Sequence, residues 1–231
     1  MTFSRLLVVA ALLGGASLAR AQVLERTALP AFRAPTWALA AGVRTAYIKG
    51  AGFDPFSSND AIVGFSLSGT RVLVRDGDLS LAAGVGLDLG TSSASARGVP
   101  ARLSLTQVSA LAEGRYQPWS RFYLFGRLAP GLMHGAATLD DHTSPNGSEL
   151  TDGFDLFSLD VAAGGAFCLG AIGTARVGAW LVADGGYGWA PSHHLVLSPS
   201  LNGDQDKAGT LDLGTLAPRG GFFRIALALG Y

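Results

Sequence analysis

Large apolar side chains alternate with small or polar ones along much of this sequence, most clearly in its last stretch. In residues 221–231, GFFRIALALGY, every second position is bulky and apolar: Phe223, Ile225, Leu227, Leu229 and Tyr231. Alternate side chains of a β-strand point to opposite faces. The segment therefore predicts a strand with one apolar face and one face of small or charged residues, and this strand ends on an aromatic side chain.

The same alternation recurs in seven earlier segments, so the pattern predicts eight strands. The seven segments are approximately 36–47, 61–74, 79–90, 102–116, 121–135, 154–169 and 174–189. Short turns alternate with long polar connections, which are approximately 50–60, 91–101, 136–153 and 190–219. The pattern predicts an all-β fold, an eight-stranded antiparallel up-and-down transmembrane β-barrel. Residues 195–197 and 211–216 either extend the last hairpin or add two strands, which would make ten.

Two residues disturb the alternation. Arg71 falls on the apolar face of the second strand, where it either reaches the membrane interface with its long side chain or marks a β-bulge. Pro130 falls inside the fifth strand, and because proline cannot donate a hydrogen bond to a neighbouring strand, we expect a bulge there.

The N-terminal residues 1–21 have the pattern of a secretory signal peptide. Arg5 precedes the apolar run 6–15, and the residues Ala19-Arg20-Ala21 form a cleavage site before Gln22. The apolar run is shorter than the ~20 residues of a membrane-spanning helix. We therefore predict a cleaved signal peptide at 1–21, a periplasmic N-terminal linker at 22–35 and a barrel domain at 36–231.

Composition supports an exported membrane barrel. Hydrophobic residues make up 48% of the chain, charged residues only 15%, and mean hydropathy is +0.33. After residue 22 there is no apolar run long enough for a spanning helix, and this combination is typical of β-barrels. A formal net charge of zero gives no indication of a nucleic-acid partner. The one cysteine, Cys168, is predicted to be a packing residue.

The face that we place inside the barrel carries charges of both signs among glycine, alanine and serine. An eight-stranded barrel has room inside only for its own side chains, and charges buried there need partners. We therefore predict a salt-bridged interior that seals the barrel, with a narrow polar path for small solutes as the alternative. The predicted interior charges are Arg44, Asp88, Glu113, Arg115, Arg127, Asp160, Arg176, Asp184 and Arg224.

Aromatic residues near the ends of the predicted strands indicate two membrane interfaces, where such side chains are favoured. They are Trp37, Tyr47, Tyr116, Trp119, Tyr187 and Trp189. A soluble barrel of the lipocalin type is the alternative fold, with the apolar face turned inward. The aromatic strand ends and the charges on the small-residue face argue against it.

The sequence contains no motif that indicates catalysis or a cofactor site. Residues 202–206 place oxygen-bearing side chains as a calcium loop does, but Lys207 and Leu213 stand where such a loop needs glycine and glutamate. His134 and Ser158 are each near an outer strand end, as in lipid-modifying barrels, but nothing in the sequence pairs them. We predict no metal, no cofactor and no enzymatic activity.

The alternating strands, the asymmetric connections and the aromatic-ended last strand resemble the small outer-membrane barrels of the outer membrane protein A-like and opacity-like families. The resemblance covers residues 36–231 and lies in the pattern rather than in a signature motif. It implies a bacterial outer-membrane protein that contacts outer-membrane lipid and has both termini in the periplasm. It also implies that the last strand is the signal recognised by the barrel-assembly machinery.

The same resemblance implies a structural or surface-interaction role through long extracellular loops, whose partner the sequence does not identify. Two alternatives stay open, a narrow channel for small solutes and a lipid-modifying enzyme.

Overall fold

The computed structural model describes residues 33–48, 50–96, 99–141, 148–172, 177–199 and 210–231, and every structural statement below concerns these residues. They contain the strands β1 (Trp37–Tyr47), β2 (Ala61–Asp76), β3 (Leu79–Ala96), β4 (Val99–Trp119), β5 (Phe122–Asp141), β6 (Ser148–Ala171), β7 (Gly178–Trp189), β8 (His193–Pro199), β9 (Leu211–Leu216) and β10 (Gly220–Gly230). A 3₁₀ turn, Asp54–Phe56, lies between β1 and β2. Among the described residues, no helix has the length and apolar character needed to cross a membrane. The predicted signal peptide lies outside the described residues.

Eight of the strands form a closed antiparallel ring, which confirms the predicted barrel. The ring runs from β1 through β2, β3, β4, β5, β6 and β7 to β10, and β10 pairs again with β1. The closing pair extends from Ala38 opposite Gly230 to Ala46 opposite Phe222. Every strand of the ring therefore has a neighbour on both sides, and no edge is left open.

The remaining strands, β8 and β9, form a hairpin outside the ring. This hairpin joins the ring through two pairs with β6, Leu150 opposite Pro199 and Thr151 opposite Ser198. The predicted ring of eight is correct, and the two extra strands belong to the last long connection. We call the end of the barrel with Tyr231 and the β2–β3 and β4–β5 turns the turn end, and the opposite end the loop end.

Two of the connections predicted as long loops are strand pairs instead. β3 continues to Ala96 and β4 begins at Val99, while β5 continues to Asp141 and β6 begins at Ser148. The predicted loops 91–101 and 136–153 are therefore wrong for most of their length. Backbone pairing continues there without an apolar outer face, because it satisfies the N–H and C=O groups of the strand whatever the side chains are.

The outer wall of the barrel is apolar. Val85 and Leu132 are 66% and 70% exposed, and the other large residues of the predicted outer face are also largely uncovered. A soluble barrel of the lipocalin type would bury this face. The alternative fold is therefore wrong, and the direction of the alternation is as predicted.

The two predicted irregularities have different outcomes. Arg71 lies on the outer face with its guanidinium 5.2 Å from the centre of the Trp37 ring, and a bulge between Val72 and Val74 follows it. The predicted bulge is therefore present, but it follows Arg71 and leaves this side chain on the outer face. That the side chain reaches a membrane interface stays a prediction. The bulge expected at Pro130 is absent, because the pairs on either side of it, Ser109–Gly131 and Ala112–Leu128, keep one register.

The last residue is tied to the start of β1. Tyr231 N–H donates to the Trp37 carbonyl at 2.9 Å, and its own carbonyl accepts from the N–H groups of Thr36 (2.6 Å) and Trp37 (3.0 Å). The Tyr231 side chain points outward and is exposed. The final residue thus completes the closing seam of the ring.

Deletion of Tyr231 should leave export intact and reduce insertion of the barrel in cells. The deletion removes three backbone hydrogen bonds at the seam and the terminal aromatic ring, but little of the total burial, so the truncated chain should still fold into detergent in vitro. The measurement compares heat-shifted barrel on gels of cell membranes with refolding yield. Tyr231→Phe keeps the backbone bonds and the ring and should insert normally. Normal insertion of the truncated chain would show that the terminal aromatic is incidental.

Candidate functional site

The interior of the barrel is the part of the molecule where a channel, a binding site or a seal would lie. Its inward side chains form three layers between the turn end and the loop end. An aromatic layer lies nearest the turn end, charged side chains occupy the middle, and an apolar cap fills the loop end.

The aromatic layer consists of inward side chains from four strands, β5, β6, β7 and β10, and buries Cys168. The ring of Tyr123 lies 5.3 Å from that of Trp180 and 6.1 Å from that of Phe125. Trp180 is only 1% exposed, and Val182 packs in the same cluster. Cys168 is fully buried among these groups, where its small side chain fills space.

The residues immediately before β1 close the turn end of this layer. Ala34 is buried in the aromatic layer, and its N–H donates to the Gln117 side-chain oxygen at 2.6 Å. Arg75 donates to the Ala34 carbonyl at 2.6 Å, and Arg115 donates to the Pro35 carbonyl at 3.1 Å. The end of the predicted linker therefore packs against the barrel.

The charged middle of the barrel contains two clusters. The first, called the Glu113 cluster, consists of Glu113, Arg115, Arg127, Asp184 and Arg224. Glu113 accepts from Arg115 Nε at 3.0 Å and from Arg127 Nε at 2.7 Å. Asp184 accepts from Arg224 at 2.9–3.1 Å and from Arg127 Nη1 at 3.4 Å. Three guanidinium groups and two carboxylates leave this cluster with one positive charge.

The second cluster, called the Arg44 cluster, lies on the loop side of the first and consists of Arg44, Asp88, Gln107 and Asp160. Arg44 Nη1 lies 2.7 Å from an Asp88 oxygen and 2.8 Å from an Asp160 oxygen. Gln107 Nε2 donates to Asp160 at 3.1 Å, and the Arg44 guanidinium stacks on the Phe222 ring at 4.2 Å. One guanidinium and two carboxylates leave this cluster with one negative charge, which balances the first.

Sequence reasoning placed eight of these charges inside the barrel, and the structure brings all eight into the two clusters. The ninth, Arg176, lies outside the described residues. The alternation could not show which charges meet. Arg44 contacts Asp88 and Asp160 from strands that are not its neighbours in the ring, so their pairing depends on how the strands tilt and stagger.

The apolar cap is a hydrophobic core at the loop end, and it was not predicted. Its central side chains are completely buried, with 0% exposure, and come from the β1–β2 connection, β4, β8 and β9: Phe53, Phe56, Leu103, Leu195, Leu197 and Leu216. Inward residues of β5 and β6, including Met133 and Phe154, complete it. The signal in the sequence was the presence of large apolar side chains inside connections that were otherwise polar.

The β8–β9 hairpin is fixed to the wall beneath it by polar contacts. His193 stacks on Phe154 with ring centres 4.7 Å apart, and its Nε2 lies 3.2 Å from an Asp152 oxygen. Asp152 also accepts from the Val196 N–H at 3.2 Å. These contacts add to the apolar burial that holds the hairpin over the barrel.

Within the hairpin, Asp212 links β9 to β8. The backbone N–H of Gly214, with a further contribution from the His194 side chain, holds the pKa of the Asp212 carboxyl below its usual range. This carboxyl therefore stays ionised to lower pH than an isolated one. Its distance to His194 Nε2 is 3.1 Å.

A cavity of about 60 Å³ lies between the Arg44 cluster and the apolar cap. Its lining includes Arg44, Asp88 and Asp160 on the charged side. The side towards the cap is apolar, and the lining also reaches residues at the rim of the barrel where β1 and β7 end.

The structure separates the two residues that were considered for a lipid-modifying enzyme. His134 lies on the outer face and pairs with Asp155 at 2.9 Å. Ser158 points inward and is 1% exposed. The two side chains are on opposite sides of the wall, so they cannot act together on one substrate. Among the described residues, no group of three potential metal ligands comes together.

The six predicted interface aromatics all lie on the outer face and are exposed. Trp37, Tyr116 and Trp119 lie towards the turn end, and the remaining three towards the loop end: Tyr47, Tyr187 and Trp189. The apolar outer wall is therefore flanked by aromatic side chains at both ends.

A closed eight-stranded antiparallel ring with an apolar outer wall and a charged, side-chain-filled interior defines the class: this is the fold of bacterial outer-membrane β-barrels. No protein-family model matches the chain, and no curated protein matches it either.

Solved structures of outer-membrane barrels have a similar overall topology. Neisserial surface protein A is 16% identical, with 85% of this chain and 97% of that chain covered and a TM-score of 0.46. The attachment invasion locus protein Ail of Yersinia pestis, in complex with the heparin analogue sucrose octasulfate, is 15% identical, with 84% and 96% covered and a TM-score of 0.44. The outer membrane protease OmpT of Escherichia coli is 10% identical, with 84% and 95% covered and a TM-score of 0.46. At such identities these similarities concern the fold alone.

Proposed function

We propose that this protein is a closed outer-membrane barrel with a structural or surface-interaction role, carried out by its loop-end hairpins. The observation that carries the proposal is the filling of the interior by three layers of the protein's own side chains, which leave one small cavity on the loop side. In the proposed orientation both termini and the short turns are periplasmic, and the loop end is extracellular.

The filling of the interior favours a seal over an open pore. The Glu113 cluster is almost completely buried, with Glu113 and Asp184 each 2% exposed. Buried ion pairs of this kind persist because each charge has partners in fixed positions. The apolar cap adds a second barrier on the loop side, since an ion crossing it would lose its hydration without compensation.

The loop-end hairpins provide the surface for interaction. The β3–β4 and β5–β6 pairs extend as regular strands beyond the outer aromatic residues, and the cap gives this extension a hydrophobic core of its own. Such a rigid projection presents side chains to a partner at lower entropic cost than a mobile loop does.

The role as a seal is tested by conductance measurements on the purified barrel in planar lipid bilayers. We expect no conductance steps above those of the bilayer alone. An open general porin recorded in the same bilayers is the positive control. Regular steps from the unmodified barrel would contradict the proposed seal and favour the channel.

The interaction role is tested separately with variants in which tight turns replace the tips of the β3–β4 and β5–β6 pairs. Both variants should keep the heat-dependent gel mobility of a folded barrel and lose attachment of the cells to surfaces or host material. Unchanged attachment in both would contradict an interaction through these hairpins.

A narrow channel is the second candidate, and the cavity beside the Arg44 cluster is the observation that favours it. This cavity shows that the interior is not filled completely on the loop side. A channel would require the cap to move aside, because Leu195, Leu197 and Leu216 lie fully buried in the cap above it.

A further inference from the structure

A groove lies on the outer wall of the barrel near the turn end, along strand β4. We propose that it binds one phospholipid with a primary ammonium headgroup, with an acyl chain in the groove and the ammonium group at Asp76. The proposal rests on the contact of the apolar wall with a membrane. It depends neither on the proposed surface role nor on whether the barrel conducts.

The floor of the groove consists of residues with little or no side chain. Gly114 of β4 lies directly opposite Gly126 of β5, and both line the groove. A Cβ at either glycine would meet no atom of the described residues within 4 Å, so this floor is uncovered. Towards the loop end the next outward residues of β4 are Ala112 and Ala110, which are exposed as well. The wall is therefore lower along β4 than beside it.

Large apolar side chains stand on both sides of this floor. On β3, Leu81 lies opposite Gly114, and on β5, Leu128 lies opposite Ala112; both leucines are exposed. Neighbouring strands are ~4.8 Å apart, so the space between the two rows is about one strand wide. One extended hydrocarbon chain fits this space. The convex wall of a second barrel would rest on the leucines without reaching the floor.

The volume of the groove agrees with an acyl chain. It is about 490 Å³. A water molecule takes ~30 Å³ of liquid volume and a methylene group is of similar size, so the groove has room for about 16 such groups. An empty groove would leave its lining without van der Waals contacts on one side, and a lipid chain restores them.

The turn end of the groove carries a carboxylate without an ion pair. Asp76 lines the groove at the end of β2 and is exposed, so a ligand in the groove can reach it. Within the part of the chain that the structure describes, Asp76 forms no ion pair. Tyr116 lines the same end, and such aromatic residues mark the level of the lipid headgroups. A primary ammonium group there supplies N–H donors and the complementary charge.

The arginines near this end do not neutralise Asp76. Arg115 also lines the groove, but its guanidinium is buried on the inner face within the Glu113 cluster. Arg75 donates to the backbone that precedes β1, and Arg71 stacks on the interface tryptophan of β1, on the far side of β2 from the groove. Arg121, in the β4–β5 turn, does not line the groove. The charge that a headgroup meets in the groove is therefore negative.

Native mass spectrometry of the folded barrel tests the proposal. The barrel in detergent is incubated with equal amounts of phosphatidylethanolamine, phosphatidylcholine and phosphatidylglycerol that have identical acyl chains. We expect one retained lipid for each barrel, with phosphatidylethanolamine favoured about threefold, as an exposed ion pair allows. Phosphatidylcholine has the same charges but no N–H donor, and phosphatidylglycerol has no cation. Equal retention of the three lipids, or no retained lipid, would overturn the proposal.

Two substitutions and a matched control place the lipid in the groove. Gly114→Leu and Gly126→Leu fill the groove without changing a charge, and each should lower lipid retention at least fivefold. Ala41→Leu adds the same side chain on the outer face of β1, between Leu67 and Leu227, and should leave retention unchanged. Equal retention in all three variants would place the lipid elsewhere on the wall and overturn the proposal.

A further variant tests the headgroup. Asp76→Asn should still retain a lipid but lose the preference for phosphatidylethanolamine, and a preference that persists would overturn the role of Asp76. Heat-dependent gel mobility first establishes that each variant is folded, and one folded glycine variant is sufficient for the comparison with Ala41→Leu. The same spectra show the mass of the assembly. A dimer that Gly114→Leu dissociates would identify a second copy as the occupant and overturn the proposal.

Discussion

Replacing Asp184 with alanine is expected to lower the free energy of unfolding by about 3–5 kcal/mol, because it breaks a buried ion pair by removing one partner. The Asp184 side chain is completely buried and accepts hydrogen bonds from Arg224 and Arg127. Without it, Ser66 is the one side-chain hydrogen-bond partner left to Arg224 in the part of the chain that the structure describes. The measurement is a urea titration of the barrel refolded in lipid vesicles.

Two control variants distinguish the loss of stability caused by the unpaired buried charge from losses that any substitution causes. Asp212→Ala removes an exposed carboxylate from the β8–β9 hairpin and should change the unfolding midpoint far less. The double variant Asp184→Leu/Arg224→Met replaces the pair with apolar side chains and should recover part of the loss. A loss in Asp184→Ala no larger than in Asp212→Ala would contradict the account of the charged interior.

Replacing Leu87 with arginine is expected to cost ~2–4 kcal/mol of stability in a lipid bilayer, because the new charge would face the hydrocarbon. Leu87 lies near the middle of β3 on the outer face, between Leu67 of β2 and Val108 of β4. The same urea titration in vesicles measures the effect.

Thr91→Arg is the matched control for this substitution. Thr91 lies on the same face of the same strand, four residues closer to the loop end, opposite Val63 and Ser104. Arginine near a membrane interface costs ~0–1 kcal/mol. Equal losses from Leu87→Arg and Thr91→Arg would show that the outer wall does not meet hydrocarbon where we place it.

For the eight strands of the ring, the sequence predicts which side chains face outward, because lipid outside and packed side chains inside impose a strict period of two. The alternation of Phe223, Ile225 and Leu227 with Phe222, Arg224 and Ala226 is the clearest case. Outside the apolar wall this constraint ends, and the strands continue in polar sequence. That is why residues 91–101 were predicted as a loop although most of them are paired.

The partners inside the barrel could not be predicted in the same way. The stagger of the strands determines which inward residues lie at the same level along the barrel axis. The alternation within a single strand carries no information about this stagger. The contact of Arg44 with Asp160 is one result of this stagger. The apolar cap was missed for a related reason, since Phe53 and Leu195 lie far apart in the sequence and only the folded hairpins bring them together.

Cell fractionation combined with gel mobility tests the central claim most directly. We expect the mature protein in the outer-membrane fraction and a change in its gel mobility on boiling, because a closed barrel stays folded in cold detergent. A protein found in the soluble fraction, with the same mobility before and after boiling, would contradict the account.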